Sequence, residues 1–471
     1  MNKFSKTFFV ILFVLGSGSC IAQPRARVDE RFELTGVVFS LIEEDAYRQL
    51  CSVNYLNDIE EYFAKYKNHE LIQFVNQKIN DNFYLDFPCT LAADIEITPN
   101  GIVFTHQWKT YYDDYTVYSD VETWTKTEMD EYLRLLNKFY KDTKFHRFFV
   151  SHKDFYSAAE DAYQEITNKI DTTWFLNFFG KPYAMENIWI VPALGGNNFG
   201  FRRIDSSGKE YNNCIISCTR INEKGKPFFN TNDFKLLIHE SCHNYTQPLW
   251  EKYYKQCEDI CDTIYSFLGD ILVENHYGSP SSTIFEGMNR LYEYCYYKDH
   301  NTLENEFFTL DCSLKDAASQ GFPWLIEAMT FLDNFDKNRN VYENCEAFVP
   351  DLIQFLHNVA RNMAEYYYPK IHELAPLIIN TFPAQNSVVN TNIGTIMFKF
   401  SQPIKSILEF EDVNGNLSWD DVNFSMTDEN THCLTLKGPL KPHTQYKIVI
   451  YGLTESCHCT TRDFKLFFET K

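Results

Sequence analysis

The hydrophobic periodicity of this chain changes once, at Glu373 to Pro376, and the two sides of that point must fold differently. Before it, apolar residues recur mainly at helical spacing, as in Met129, Tyr132, Leu133, Leu136 and Phe139, which form one stripe on a helix. After it, Thr395 to Phe400, Cys433 to Lys437, Tyr446 to Tyr451 and Phe464 to Phe468 are short alternating runs separated by turn residues, each reading as a half-buried strand. The chain is therefore predicted to be α+β, with residues 23–372 mainly helical around a small sheet and residues 373–471 forming a separate all-β domain. That tail has the size of a sandwich, roughly a hundred residues.

Within the first part, Arg31 to Leu41 alternates enough to predict a strand, and Asp58 to Ile79 has helical spacing. Strands are predicted around Ile95 to Trp108 and Asn187 to Ala193, with Thr127 to Phe179 mainly helical between them. Phe199 to Ile204 and Cys214 to Thr219 follow as strands with the turn Ser207-Gly208 between. From Asn230 to Tyr297 the spacing predicts three helices, divided at Pro248 and at Gly278-Ser279-Pro280. Further helices are expected over Leu325 to Phe335 and Asp351 to His372. The segment that starts at Asp336 opens like a calcium loop, but its sixth position is Val341 and its twelfth Ala347, so a plain turn is expected.

A hydrophobic content of 44% supplies surface for real cores, and a formal net charge of −21 excludes the cationic footprint that nucleic-acid binding requires. Residues 1–22 read as a secretory signal: Lys3 and Lys6 precede the apolar run Phe8 to Leu15, which is too short to span a bilayer, and Ala22 suits cleavage. Export to the periplasm, the medium or the outer surface is expected, with lipid attachment at Cys20 as the alternative. No later stretch is apolar enough for a transmembrane helix. Of 14 cysteines, loss of Cys20 with the signal leaves 13, so at least one thiol stays unpaired. Cys257 and Cys261 read as buried thiols. The grouping of His432-Cys433 with Cys457-His458-Cys459 matches no standard zinc module, and a disulfide accounts for it equally well.

The chemistry lies in His239-Glu240-Ser241-Cys242-His243, set in an apolar helix expected to start near Asn232-Asp233 and to stop about Gln247, before Pro248. Residues four apart stand one turn above each other, so both imidazoles can reach one zinc ion while Glu240 addresses a water bound to it. A catalytic zinc takes a third protein ligand. Glu286 is the choice, because Arg290 follows four residues later on the same helix face and can orient its carboxylate. Asp270, Glu274, His276 and Glu293 compete for that position. Gly195-Gly196 fits either a loop that lets a substrate backbone approach closely or a simple turn.

The segments His239 to Pro248 and Phe285-Glu286-Gly287-Met288-Asn289-Arg290 together resemble an uncharacterised family of exported bacterial proteins predicted to be gluzincin-like zinc metallopeptidases. In that family a proline follows the second histidine by five residues, and a Glu-x-x-x-Arg element lies on a later helix. Val191 to Gly200 and Asn338-Arg339 through Phe348-Val349-Pro350 are also similar, so the resemblance covers about Val28 to His372. It departs at Gly287-Met288-Asn289, where bulkier apolar residues are usual; this bears on Glu286 and leaves the histidines untouched.

The resemblance implies a zincin-like fold, zinc held by His239, His243 and Glu286, Glu240 as general base, and a peptide or protein substrate. In the tail, Phe382 to Ser387, Phe398 to Ile404 and Leu440 to Tyr446 resemble bacterial immunoglobulin-like domains, which implies a spacer or a cell-surface attachment module. The second reading open to the sequence is a non-catalytic protein that holds a peptide or glycan on a degenerate peptidase scaffold.

Overall fold

A computed structural model describes residues 24–42, 53–80, 86–105, 125–195, 198–204, 207–275, 277–300, 309–374, 377–412, 414–454 and 464–471. Residues 1–22, expected to be a signal segment and including Cys20, the ligand candidate His276, Gly196, and Cys457 to Cys459 lie outside them. The chain is α+β with a strand-rich C-terminal region. Among the described residues no helix is long and apolar enough to cross a membrane.

In chain order the first part comprises β1 (Ala26–Val28), α1 (Glu30–Ser40), α2 (Val53–Phe63), α3 (Glu70–Asn80), α4 (Asp86–Leu91), the hairpin β2 (Ile95–Thr98) and β3 (Gly101–Phe104), then α5 (Lys126–Thr143), α6 (Phe145–Ser151), α7 (Lys153–Thr167) and α8 (Thr172–Phe179). Next come β4 (Asn187–Val191), β5 (Phe199–Ile204) and β6 (Glu210–Ser217), and then helices α9 (Thr231–Tyr253), α10 (Glu258–Glu274), α11 (Ser282–His300), α12 (Leu310–Ser319), α13 (Leu325–Lys337), α14 (Cys345–Arg361) and α15 (Tyr368–Leu374).

A mixed sheet, ordered β1-β4-β6-β5, divides this part into two apolar layers. Strand alternation explains how: Ile188 and Ile190 enter one core with Cys214 and Ile216, whereas Trp189, Val191 and Ile215 enter the other. Both faces are covered, which is why β4 is apolar at almost every position. β5 runs antiparallel to β6 at the edge of the sheet.

Three expectations are corrected here. Arg31 to Leu41 is not a strand: Asp29 caps a helix by accepting from the Arg31 amide at 3.0 Å, and α1 is buried nearly all round, which erases the amphipathic spacing that would have marked it. The helix bearing the two histidines does not stop before Pro248 but runs to Tyr253. Pro248 removes one helical hydrogen bond, yet Leu249 and Trp250 beyond it are buried and the Trp250 indole donates to the Tyr292 hydroxyl at 3.2 Å, so packing carries the helix on. The last helix of the region begins at Cys345 rather than Asp351, capped by Asn344, and is interrupted by one π-helical turn over Met363–Tyr367.

Asp336 and Lys337 end α13, and the expected turn follows over Asn338 to Val341, closed by the Val341 amide on the Asn338 carbonyl at 2.8 Å. Cys257 and Cys261 are free, buried thiols, and His432 donates to the Ile404 carbonyl at 3.0 Å.

The C-terminal part contains β7 (Ile378–Phe382), β8 (Ser387–Val389), β9 (Thr395–Phe400), β10 (Ile404–Asp412), β11 (Val422–Asp428), β12 (Thr431–Leu436), β13 (Gln445–Thr454) and β14 (Phe464–Thr470). They form two four-stranded sheets, β11-β12-β9-β7 and β10-β13-β14-β8. Inward residues of both, among them Ile396, Phe398, Leu434, Ile448 and Leu466, build a third core of their own.

Candidate metal centre

Helix α9 begins with a reciprocal cap: Asn230 accepts from the Asn232 amide at 2.9 Å, while Asp233 accepts from the Asn230 amide at 2.6 Å. Phe234, Leu237, Ile238, Cys242 and Tyr245 sink one side of the helix into the core. His239 and His243 stand on a less buried side, one turn apart, with their Nε2 atoms 3.2 Å from each other. Burying two imidazoles without partners would be costly.

The partner is α11, which packs along α9. Glu286 reaches across, with Oε1 at 3.6 Å from His239 Nε2 and Oε2 at 3.5 Å from His243 Nε2. Four-coordinate zinc with bonds of about 2.0–2.1 Å holds its donors about 3.3 Å apart; the 3.2 Å between the two imidazole nitrogens matches that spacing, and Glu286 offers one oxygen toward each of them. Among the described residues this is the one cluster of three or more His, Cys, Asp or Glu side chains able to hold a metal ion. Asp270 and Glu274 on α10 take no part in it.

The residues that follow Glu286 are set by close packing. A Cβ on Gly287 would come within 2.5 Å of the Trp324 ring, so only glycine lets α11 lie this close to the start of α13. Met288 is fully buried, and the Asn289 amide donates to the His239 carbonyl at 3.1 Å, tying α11 to α9 at the site.

Around the donors lies a ring of supporting side chains. Glu293, one of the competing ligand candidates, accepts from His239 Nδ1 at 2.9 Å, which fixes the tautomer that leaves Nε2 as the donor atom. Tyr297 in turn donates to Glu293 and to the Lys235 carbonyl. Arg290 lies 2.9 Å from Glu286 Oε1, and the Tyr277 hydroxyl donates to the same oxygen at 2.9 Å. Glu293 is visible in sequence as an acid two turns along the face of Glu286; Tyr277 sits in a loop and carries no such signal.

Glu240 points to the other side, toward β5. An added Cβ on Gly200 would stand 2.8 Å from Glu240 Oε2, and the Gly200 backbone also hydrogen-bonds the carboxylate. The close-approach glycine is thus Gly200, whereas Gly195 ends a short 3-10 turn in the left-handed region, at φ 65°.

The charges of the cluster act on one another, and a cation that binds here would displace a proton from His239. Burial raises the pKa of Glu286, but His239, Arg290 and His243 outweigh it and hold the carboxyl down to about 2, so it is ionised. Burial also opposes charge on His239, yet Glu286 and Glu293 carry its pKa up to about 9. Burial and then the neighbouring His239 bring His243 down to about 4. Glu240, chiefly through burial, rises to about 7 despite the opposing pull of His239.

Fold and site together define an α+β protein with a half-buried His-His-Glu cluster between two packed helices and a carboxylate beside it. Residues 45–355 match the family described as a domain of unknown function, DUF4932, and the chain belongs to that family. No curated protein matches it. Among solved structures, an L,D-transpeptidase from Mycobacterium smegmatis is similar at 13% identity and a TM-score of 0.15, over 20% of this chain and 39% of that one. The S-layer protein SbsC is similar at 11% identity and a TM-score of 0.18, over 75% of this chain and 42% of that one. This chain therefore spans less than half the length of either, and likeness at that level carries no functional argument.

Proposed function

We propose that this protein is an exported zinc-dependent peptidase of the gluzincin type, built on a zincin-like domain and followed by an immunoglobulin-like spacer or surface-attachment module. The observation that carries the reading is the spacing of His239 Nε2, His243 Nε2 and Glu286, at 3.2, 3.5 and 3.6 Å, which suits one tetrahedral ion, with Glu240 held beside them.

Zinc, when bound, supplies a Lewis acid that brings the pKa of a water toward neutrality and polarises a peptide carbonyl. Glu240 would take a proton from an attacking water and return it to the leaving amine. Gly200 keeps the Glu240 carboxylate against the β5 backbone, and Glu293 holds the His239 ring in orientation. β5 lies at the sheet edge beside α9, and an extended peptide can add to such an edge as a further strand.

Metal analysis of the purified protein, together with cleavage of a peptide library, tests this. One divalent ion per chain and metal-dependent cleavage are expected. Glu240→Gln should keep the ion and lose about 10²–10⁴-fold in turnover. A wild-type protein that holds no stoichiometric metal and cuts nothing would overturn the reading.

A further inference from the structure

The two oxygens of Glu286 are not equivalent. Oε1 accepts from the Tyr277 hydroxyl at 2.9 Å, and Arg290 Nε stands 2.9 Å from the same atom, off line for a hydrogen bond but in charge contact. Arg290 also donates through its NH2 group to the Tyr277 oxygen at 3.0 Å, so the three side chains close a ring around Oε1. Oε2 is 3.5 Å from His243 Nε2 and Oε1 is 3.6 Å from His239 Nε2, so both oxygens border the cluster, but among the described residues a hydroxyl donates to Oε1 alone.

Tyr277 is fixed by elements other than the helix it serves. Its backbone N–H donates to the Leu272 carbonyl at the end of α10 at 2.8 Å, and its ring meets Phe322 edge-on with centroids 5.8 Å apart. The Arg290 guanidinium lies 5.5 Å from the same Phe322 ring. The loop between α10 and α11 therefore delivers the hydroxyl to Oε1 independently of α11, while Arg290 reaches it from one turn along α11.

We propose that Tyr277 is a positioning residue that, with Arg290, reserves Oε1 of Glu286 and leaves Oε2 as the one oxygen offered to the metal, so that Glu286 ligates through a single atom. A carboxylate free to rotate can bind through both oxygens and occupy a coordination position that water and substrate need. The clamp prevents that, and it also presents the carboxylate already oriented, which raises affinity for the ion. The inference rests on the zinc reading of the site.

The test uses the full chain loaded with zinc or cobalt. Tyr277→Phe keeps the ring against Phe322 and removes only the hydroxyl. Zinc affinity, read by competition with a chromogenic chelator, should fall about 10–100-fold. The visible cobalt absorption should weaken as Oε1 joins the coordination and the number of donors rises, while the far-UV circular dichroism of the metal-free protein stays unchanged.

A wild type that binds the ion, beside a Tyr277→Phe variant with the same affinity and the same cobalt spectrum, overturns the clamp and leaves the metallopeptidase reading standing. A wild type that takes up neither ion overturns both. Should Tyr277→Phe fail to fold, the wild-type cobalt spectrum decides: intense four-coordinate absorption is expected, and the faint absorption of a six-coordinate ion overturns the proposal.

Discussion

At Gly200 a single methyl group would reach the base. The added Cβ would lie 2.8 Å from Glu240 Oε2, closer than van der Waals contact allows, and Glu240 is buried, so the carboxylate has to rotate away. Gly200→Ala is accordingly expected to lower kcat about 10–100-fold, since small misplacements of a reacting group cost that much. Its zinc content should not change, because Gly200 touches no proposed ligand. Steady-state kinetics beside metal analysis check this, and an alanine variant with wild-type kcat would remove Gly200 from its role. The contact also marks where sequence stops being informative. His239, Glu240 and His243 were legible because a helix turns their spacing into adjacency, and Glu286 with Arg290 was legible for the same reason. Gly200, Tyr277 and the partnership of Glu293 with His239 were not, since each depends on how one element approaches another.

Among the elements, α1 shows how burial hides a helix. Amphipathic spacing marks a helix with one wet face, and α1 has almost none, so its Phe and Val residues read as a strand. The same burial traps Glu33, whose carboxyl meets the Tyr55 hydroxyl, itself 2.6 Å from that of Tyr156, with no cation beside it among the described residues. Burial pushes the Glu33 pKa from 4.5 up to about 8, against the lowering effect of hydrogen bonds from Tyr55 and the Ala193 backbone. Between those two values the native state holds one proton more than the unfolded chain, so this group's contribution to stability falls as pH rises and levels off above about pH 8. Glu33→Gln keeps the acceptor and cannot ionise. Its advantage over wild type should be small at about pH 5 and grow to the order of 4–5 kcal/mol near pH 9. Urea unfolding at both pH values measures it, and parallel pH slopes for the two proteins would contradict the assignment.

For the whole molecule, the change of periodicity at Glu373 to Pro376 was the most informative signal in the sequence, because it anticipated a separate core. Residues between Ile396 and Phe468 build that core alone, whereas the two cores before it share one sheet. The sequence could not show that sharing: strands β4 and β6 are apolar on both faces and read simply as hydrophobic runs. Separate cores make a prediction about metal removal. An ion that binds only the folded helical part stabilises that part by RT ln(1 + [L]/Kd), about 4 kcal/mol at a thousandfold excess over Kd. The C-terminal sheets contain none of the proposed ligands and should gain nothing. Calorimetry of the intact chain is therefore expected to show a transition that moves down by several degrees on chelation and a second, strand-rich transition that does not move. Re-addition of zinc should restore the first alone. If chelation shifts both transitions together, the two parts unfold as one cooperative unit; if it shifts neither, the cluster at His239, His243 and Glu286 is not holding an ion that matters to the fold.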